Sequence, residues 1–180
     1  MLEKLDSLFT VSSVIEGSET SPDISGLIGQ YAHGNEPSHH VLYIYSMLGQ
    51  PHKTADLVHR VLTELYRPEP DGLSGNEDVG QMSAWYVLSS MGLYEVEPGS
   101  GRYWFGTPAF ESLTLDLAAQ RTGGDTTLGD GFTIRAENLS ADNRHIRSVR
   151  LNGIPYGKPY IDYRDIISGG DLVFEMTAAE

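Results

Sequence analysis

The sequence contains no cysteine, few basic residues and no long apolar run, and each absence excludes a class of protein. Without cysteine in 180 residues, disulfide bonds, thiolate metal sites and a cysteine nucleophile are excluded. There are 12 lysines and arginines against 25 aspartates and glutamates, which gives a net charge of −13. Because such a surface repels a phosphate backbone, we expect no nucleic-acid partner. No stretch of about 18 apolar residues occurs, so we expect no membrane span.

The length of the chain limits the number of domains it can form, but it does not indicate a cellular compartment. A chain of 180 residues suits one ordinary domain or two small ones. The opening residues, MLEKLD, do not read as a signal peptide. The sequence itself assigns no cellular compartment.

Residues 1–105 are predicted to be helical. Residues 21–31 begin with a serine and a proline, which favour a helix start. Residues 38–48 are apolar on almost every side, which predicts a buried helix, and residues 81–91 resemble them. Residues 51–67 have the one-sided apolar pattern of an amphipathic helix. Alternation of buried and amphipathic helices is typical of α-α hairpins with an inner and an outer helix.

Residues 106–180 are predicted to form a small antiparallel β-sheet. Apolar and polar residues alternate in four stretches, and asparagine- and glycine-rich turns separate several of them. The alternating apolar residues are Leu113, Leu115, Leu117, Phe132, Ile134, Ala136, Val149, Leu151, Leu172, Phe174 and Met176. The predicted fold class is therefore α+β, with helical hairpins followed by strands and a boundary near residue 105.

Polar side chains concentrate in two loops, each directly before a predicted buried helix. The first loop is HGNEPSHH at 33–40, and the second is GLSGNEDVGQ at 72–81. Carboxylates and amides are favoured at helix N-termini, so capping explains any single one of them as well as a function does. Capping needs only one such residue for each helix. The excess of hard oxygen donors points instead to a cation such as calcium.

The histidines and aromatic residues near these loops leave alternatives open. His39 and His40 are adjacent, so they cannot both face one site from the same side of a helix. One of them is expected to face a ligand, while the other packs or is solvated. Trp85 and Tyr86 lie on an apolar helix, where aromatic side chains are more often core than sugar platforms, and Trp104 is equally open to both interpretations.

Together the loops and their flanking segments resemble glycoside hydrolase family 92. The matching segments are HGNEPSHH at 33–40, GNEDVGQMSAWY at 75–86, MGLY at 91–94 and FGTP at 105–108. The resemblance is close over residues 29–117 and looser elsewhere. It implies a calcium-dependent, inverting, exo-acting α-mannosidase, mostly α-1,2-specific, that acts on mannose-containing glycans.

The resemblance also implies an architecture. Members of the family join an N-terminal β-sandwich to an (α/α)6 barrel. Residues 1–105 resemble the last helices of that barrel, and residues 106–180 resemble the strands that follow it.

Roles for several residues follow from the same resemblance. Asp78 matches the general base, which activates water for attack at the anomeric carbon. The family often has aspartate where this chain has Asn76, so Asn76 is expected at most to support the water or the base through its amide oxygen. Asn35 and Glu36 match the calcium-binding segment, and the ion would contact mannose O2 and O3.

The remaining candidates are assigned to substrate binding, namely His39, His40 and Glu77, with a structural role as the alternative for Glu77. Inverting hydrolysis also needs a general acid about 6.5–9.5 Å from the base. In the family this acid is a glutamate upstream of the first motif, in a glycine- or alanine-asparagine-tryptophan context, and no glutamate here has that setting. We therefore expect the 180-residue chain to be inactive by itself, as the C-terminal part of such an enzyme.

Two other interpretations come from different classes of protein. The chain is alternatively a non-catalytic module that binds carbohydrate or calcium. A third interpretation is a truncated remnant that associates with itself through barrel helices left exposed.

Overall fold

The computed structural model of the protein describes residues 1–16, 21, 23–118 and 129–178. In these residues five α-helices occur, none of them long and apolar enough to cross a membrane. The helices are α1 (Leu2–Thr10), α2 (Ile44–Met47), α3 (Pro51–Glu64), α4 (Gln81–Ser90) and α5 (Tyr163–Ile167).

The helices α3 and α4 confirm the predictions for residues 51–67 and 81–91. Proline opens α3 at its first turn, where its missing N–H is not needed. The buried face of α3 carries Thr54, Ala55, Val58, Val61 and Leu62. Helix α4 buries Met82, Trp85, Ser89 and Ser90.

The prediction of one continuous helix over residues 38–48 is wrong. The chain instead forms 3-10 turns at Glu36–Ser38 and Val41–Tyr43, followed by the single turn of α2. The hydroxyl of Thr54 accepts the N–H of Ser46 at 3.0 Å and donates to the carbonyl of Leu42 at 2.8 Å. Those two backbone groups would bond to each other in a continuous α-helix, so the inserted side chain interrupts it.

The helix predicted over residues 21–31 is also wrong, although Pro22 itself lies outside the described residues. The chain forms a hairpin of β1 (Leu27–Ile28) and β2 (Tyr31–Ala32). Gly29 has φ +61° between the two strands, a left-handed conformation that a right-handed helix does not contain. Helix α1, which no sequence pattern indicated, packs on this hairpin.

Strands fill the second part of the chain. They are β3 (Met91–Tyr94), β4 (Arg102–Pro108), β5 (Ser112–Asp116), β6 (Gly131–Glu137), β7 (His145–Leu151), β8 (Ile154–Pro155), β9 (Tyr160–Asp162) and β10 (Gly170–Thr177). Three of them form a sheet in the order β3-β4-β9, and five form a second sheet in the order β5-β6-β10-β7-β8. The α+β class is confirmed.

One pair of strands corrects the antiparallel prediction. Strand β10 runs parallel to β6, with Phe174 opposite Ala136, and antiparallel to β7. A parallel pair needs a long crossover, and the chain between β6 and β10 supplies one through β7, β8, β9 and α5. The alternating apolar residues of β6 and β10 face the core, as predicted.

Two hydrophobic clusters hold these layers together. The first joins the helices around Trp85 and Tyr43, and the second lies on the five-stranded sheet around Phe132 and Phe174. Strand β4 belongs to both, because Trp104 packs in the first cluster and the next residue, Phe105, in the second. The domain boundary near residue 105 and the membership of an (α/α)6 barrel stay predictions.

Candidate active site

Three segments of the chain meet at the candidate site: residues 23–26, 33–36 and 74–78. The backbone N–H of Gly34 donates to the carbonyl of Ser25 at 3.1 Å. A β-carbon at Gly34 would lie 2.8 Å from the carbonyl oxygen of Ser74 and 3.0 Å from that of Asp23. These distances are too short for any side chain, so glycine lets the three segments touch.

The loop before α4 holds Asp78 in a rare backbone conformation. Asp78, Val79 and Gly80 have φ of 51°, 58° and 90°. A left-handed conformation costs a non-glycine residue about 1–2 kcal/mol, and a β-branched valine seldom adopts it. Such strain persists only where neighbouring contacts fix it, and it concentrates at functional sites.

The carboxyl group of Asp78 lies in an environment that favours its neutral form. The side chain is partly exposed, but its Oδ2 atom is buried and has no hydrogen-bond partner. Desolvation raises the pKa of Asp78, and the nearby carboxylates of Glu36 and Asp23 raise it further, while His39 acts in the opposite direction. A carboxylate with a raised pKa is a better proton acceptor near neutral pH.

Asp23 is a member of the site that the sequence did not reveal. Its position after a serine and a proline favours a helix start, which is how the sequence pattern is interpreted. In the structure its Oδ1 atom lies 3.5 Å from the Nδ2 atom of Asn76, so these two side chains meet beside Asp78. Asn76 itself is exposed.

Glu77 points to the helix rather than to Asp78. Its Oε1 atom accepts the backbone N–H of Ser83 at 3.1 Å, and its Oε2 atom accepts the Ser83 hydroxyl at 3.0 Å. Both oxygens therefore stabilise the first turn of α4, where free N–H groups favour a carboxylate. Its assignment to substrate binding stays a prediction.

The two adjacent histidines differ in access. His39 is 1% exposed, and its Nε2 donates to the carbonyl of His33 at 2.9 Å. Its Nδ1 then accepts from Nε2 of Gln81 at 3.1 Å, so both ring nitrogens are occupied. His40 is partly exposed. The roles of both in substrate binding stay predictions, and His40 is the more accessible of the two.

His33 is the centre of a buried network behind the loop. The Tyr66 hydroxyl donates to the Met82 carbonyl at 3.0 Å, so it accepts from Nε2 of His33 at 2.7 Å. The Tyr31 hydroxyl then donates to Nδ1 of His33 at 2.8 Å. Burial and the neighbouring His39 lower the pKa of His33 to about 3, so the ring is neutral.

Asn35 and Glu36 offer oxygen atoms beside Asp78, although no compact metal cage surrounds them. Within the described ranges, no three histidine, aspartate or glutamate side chains are arranged to hold a metal ion. Calcium also takes amide, carbonyl and water oxygens. The exposed amide of Asn35 and the partly exposed carboxylate of Glu36 fit such a hard cation.

Trp85 and Trp104 are core residues, whereas Tyr86 is partly exposed. Trp85 is fully buried, and its Nε1 donates to the carbonyl of His39 at 3.3 Å. Trp104 is 9% exposed and packs against Tyr160 with ring centres 5.3 Å apart. Neither presents an open face to a sugar ring.

Similar proteins share this fold over nearly the whole chain. A model of the glycosyl hydrolase family 92 catalytic domain matches residues 1–178. A family 92 α-mannosidase from Bacteroides thetaiotaomicron, solved in complex with mannoimidazole, superposes with a TM-score of 0.87 at 37% identity, over 99% of this chain and 22% of that one. A family 92 inverting mannosidase from the same species superposes with a TM-score of 0.75 at 34% identity, over 99% and 24%.

A curated relative adds a more distant match. A protein of Arthroderma benhamiae named as an uncharacterized secreted glycosidase is 28% identical over 149 residues, which is 82% of this chain and 18% of that protein. The chain spans about a fifth of the length of these relatives. Since the family model covers residues 1–178 and the solved relatives exceed 30% identity, this chain belongs to glycoside hydrolase family 92.

Proposed function

We propose that this chain carries the base side of the active site of an inverting exo-α-mannosidase that acts on α-1,2-linked mannose in glycans. The observation that supports this most directly is the environment of Asp78. The residue occupies a strained loop, and before any cation binds at Glu36, desolvation and the charges of Glu36 and Asp23 raise its pKa. These are the properties that a general base needs.

In this mechanism Asp78 accepts a proton from a water molecule as the water attacks the anomeric carbon. Attack from the face opposite the leaving group inverts the configuration, so an α-mannoside releases β-mannose. Asn76, held beside Asp23, orients the water through its amide. Asn35 and Glu36 would hold the calcium ion, which supplies positive charge next to the hydroxyl groups of mannose.

The general acid is proposed to come from outside these 180 residues. Inverting hydrolysis needs a second carboxyl group with room for water between the two. Glu36 is assigned to calcium, and Glu77 is occupied by Ser83. We also propose that residues 1–105 belong to the (α/α)6 barrel of the family and residues 106–180 to its C-terminal β region.

An assay on α-1,2-mannobiose with calcium tests this function. The native protein that contains these residues is expected to release β-mannose, detected by NMR, whereas the 180-residue chain releases none. Turnover by the chain alone would contradict an external acid. Calorimetric binding of mannose by the native protein without any turnover would identify a non-catalytic module instead.

Self-association is a further part of the proposal. Met47 is 40% exposed and Val87 is 58% exposed, although each lies in a helical segment whose sequence predicts burial. Apolar faces of this kind favour contact with another protein surface. Sedimentation of the 180-residue chain is expected to show dimers that Val87→Ser weakens.

A further inference from the structure

A second cleft, of about 860 Å³, lies between the start of α3, strand β7 and the loop after β8. None of its lining residues belongs to the three segments that meet at Asp78. The size is that of a small-molecule site, which is commonly 300–1,000 Å³. The cleft therefore has room for a ligand of its own.

The lining of this cleft is positive, although the whole chain has a net charge of −13. Arg147 and Lys158 supply two cations, and His52 and His145 line the wall beside them. Asp56 is the one carboxylate among the described lining residues. A positive patch on a protein that is otherwise negative favours an anionic ligand at that patch.

The single lining carboxylate is already paired. Oδ1 of Asp56 accepts from Nε of Arg144 at 2.8 Å and from Nε2 of His145 at 2.9 Å. The carboxylate of Asp56 is therefore already paired with side chains of the protein. In the described part of the chain Arg147 has no ion-pair partner, so its charge stays available to a ligand.

The charge of the other cation, Lys158, is already matched by Asp162 at the rim of the cleft, so Lys158 offers its remaining N–H donors while Arg147 supplies the unpaired positive charge. Nζ of Lys158 lies 2.7 Å from Oδ2 of Asp162 and 5.8 Å from the ring centre of Tyr156. Tyr156 and Phe105 line the same cleft, so aromatic surface stands next to the cations. Aromatic rings pack on the apolar face of sugar rings, while cations bind acidic groups.

We propose that this cleft binds an acidic sugar, that is, a sugar-sized molecule with a carboxylate or phosphate group. Arg147 binds the acidic group through its unpaired charge, Lys158 donates an N–H that Asp162 leaves free, and Tyr156 contacts the ring. The proposal does not depend on the role of Asp78. It predicts a second carbohydrate site with a charge preference that a neutral mannose site lacks.

Histidine NMR signals of the 180-residue chain report directly on this cleft. Titration with glucuronate and with glucose 6-phosphate is expected to shift the imidazole signals of His52 and His145, but not those of the buried His33 and His39. Glucose, which has no charge, serves as the neutral probe and shifts none of them. Shifts with only one acidic sugar identify the group as carboxylate or phosphate.

Three variants distinguish specific binding in the cleft from general attraction of an anionic ligand to any basic side chain on the surface. Arg147→Gln and Lys158→Gln are each expected to weaken binding about threefold or more. Arg60→Gln removes an exposed cation of α3 that pairs with Glu64 instead, and it leaves the affinity unchanged. Melting temperatures confirm that each variant is folded.

Several results would overturn the acidic-sugar site. They are the absence of any shift with both acidic sugars, equal shifts with glucose, and a double variant of Arg147 and Lys158 that binds as well as the wild type. Equal weakening by Arg60→Gln would also contradict it, because the attraction would then be a property of the surface as a whole.

Discussion

Asp78 combines two features: a left-handed backbone and a carboxyl group whose pKa is raised. The backbone directs the side chain to the point where three segments meet. The neighbouring carboxylates of Glu36 and Asp23 then make its protonated form more stable. At the residue scale the pKa of Asp78 therefore depends on the charges of neighbouring side chains, and single substitutions of those side chains test this dependence.

Asp23→Asn removes one of the charges that raise the pKa of Asp78. The pKa of the base falls, so the acidic limb of the pH profile of kcat/KM is expected to move to lower pH. The profile is measured on α-1,2-mannobiose with the native protein. Asp71→Asn, at an exposed position paired with Arg67, is the control and keeps the wild-type profile. An unchanged acidic limb in Asp23→Asn would contradict the coupling.

His33 makes stability depend on pH. Its folded pKa is depressed from 6.5 to about 3, so below pH 6.5 the unfolded chain gains a proton that the folded chain does not. Stability is complete above the unfolded pKa and is lost as pH falls toward the folded one. We expect His33 to contribute a loss of about 2 kcal/mol between pH 7 and pH 5.

Urea unfolding at pH 7 and pH 5 measures this loss. His33→Gln lowers stability at pH 7, because it breaks the network with Tyr31 and Tyr66, but it removes the His33 part of the pH dependence. His52→Gln, at an exposed position, keeps the wild-type pH dependence. Equal pH dependence in His33→Gln and wild type would show that another group is responsible.

At the scale of elements, the candidate site depends on the close contact between the loop that contains Gly34 and the neighbouring segments. Gly34→Ala is expected to destabilise the chain by about 1–3 kcal/mol, because its β-carbon meets the carbonyl oxygens of Ser74 and Asp23. Gly157→Ala faces open space and stays within about 0.5 kcal/mol of wild type. Thermal unfolding of both variants checks the difference. Equal melting temperatures would contradict the close approach.

Local patterns predicted the regular elements well and the interrupted ones badly. The one-sided pattern of α3 and the alternation in β6 and β10 come from neighbours in sequence, so the sequence reveals them. Residues 38–48 have the composition of a buried helix. The hydroxyl of Thr54 interrupts that helix from the next element, and no local pattern contains this contact.

The candidate site shows the same division between residues that a local motif predicts and residues that only the folded chain brings together. The loop motifs predict roles for Asp78, Asn76, Asn35 and Glu36 through their resemblance to a family, and these roles stay predictions. Asp23 lies ten residues before the first loop and much farther from the second, so only the folded hairpin brings it to them. The parallel pairing of β10 with β6 is equally a property of the topology and not of either strand.

For the whole molecule, the net charge of −13 attracts cations everywhere, so specific calcium binding needs a matched control. Glu36→Gln is expected to weaken calcium binding about tenfold, because it removes the proposed ligand beside Asp78. Glu69→Gln changes the charge equally at an exposed position and leaves the affinity unchanged. Calorimetry on the 180-residue chain measures both, and equal affinities would contradict the site.

The central claim is that Asp78 is the general base of a family 92 mannosidase, and one measurement tests it most directly. Asp78→Asn in the native protein is expected to lower kcat on α-1,2-mannobiose about 10²–10⁴-fold. The melting temperature stays close to that of the wild type, since asparagine tolerates the left-handed backbone and the substitution removes a charge that Glu36 and Asp23 repel. A folded Asp78→Asn variant that retains the wild-type kcat would show that the base lies elsewhere.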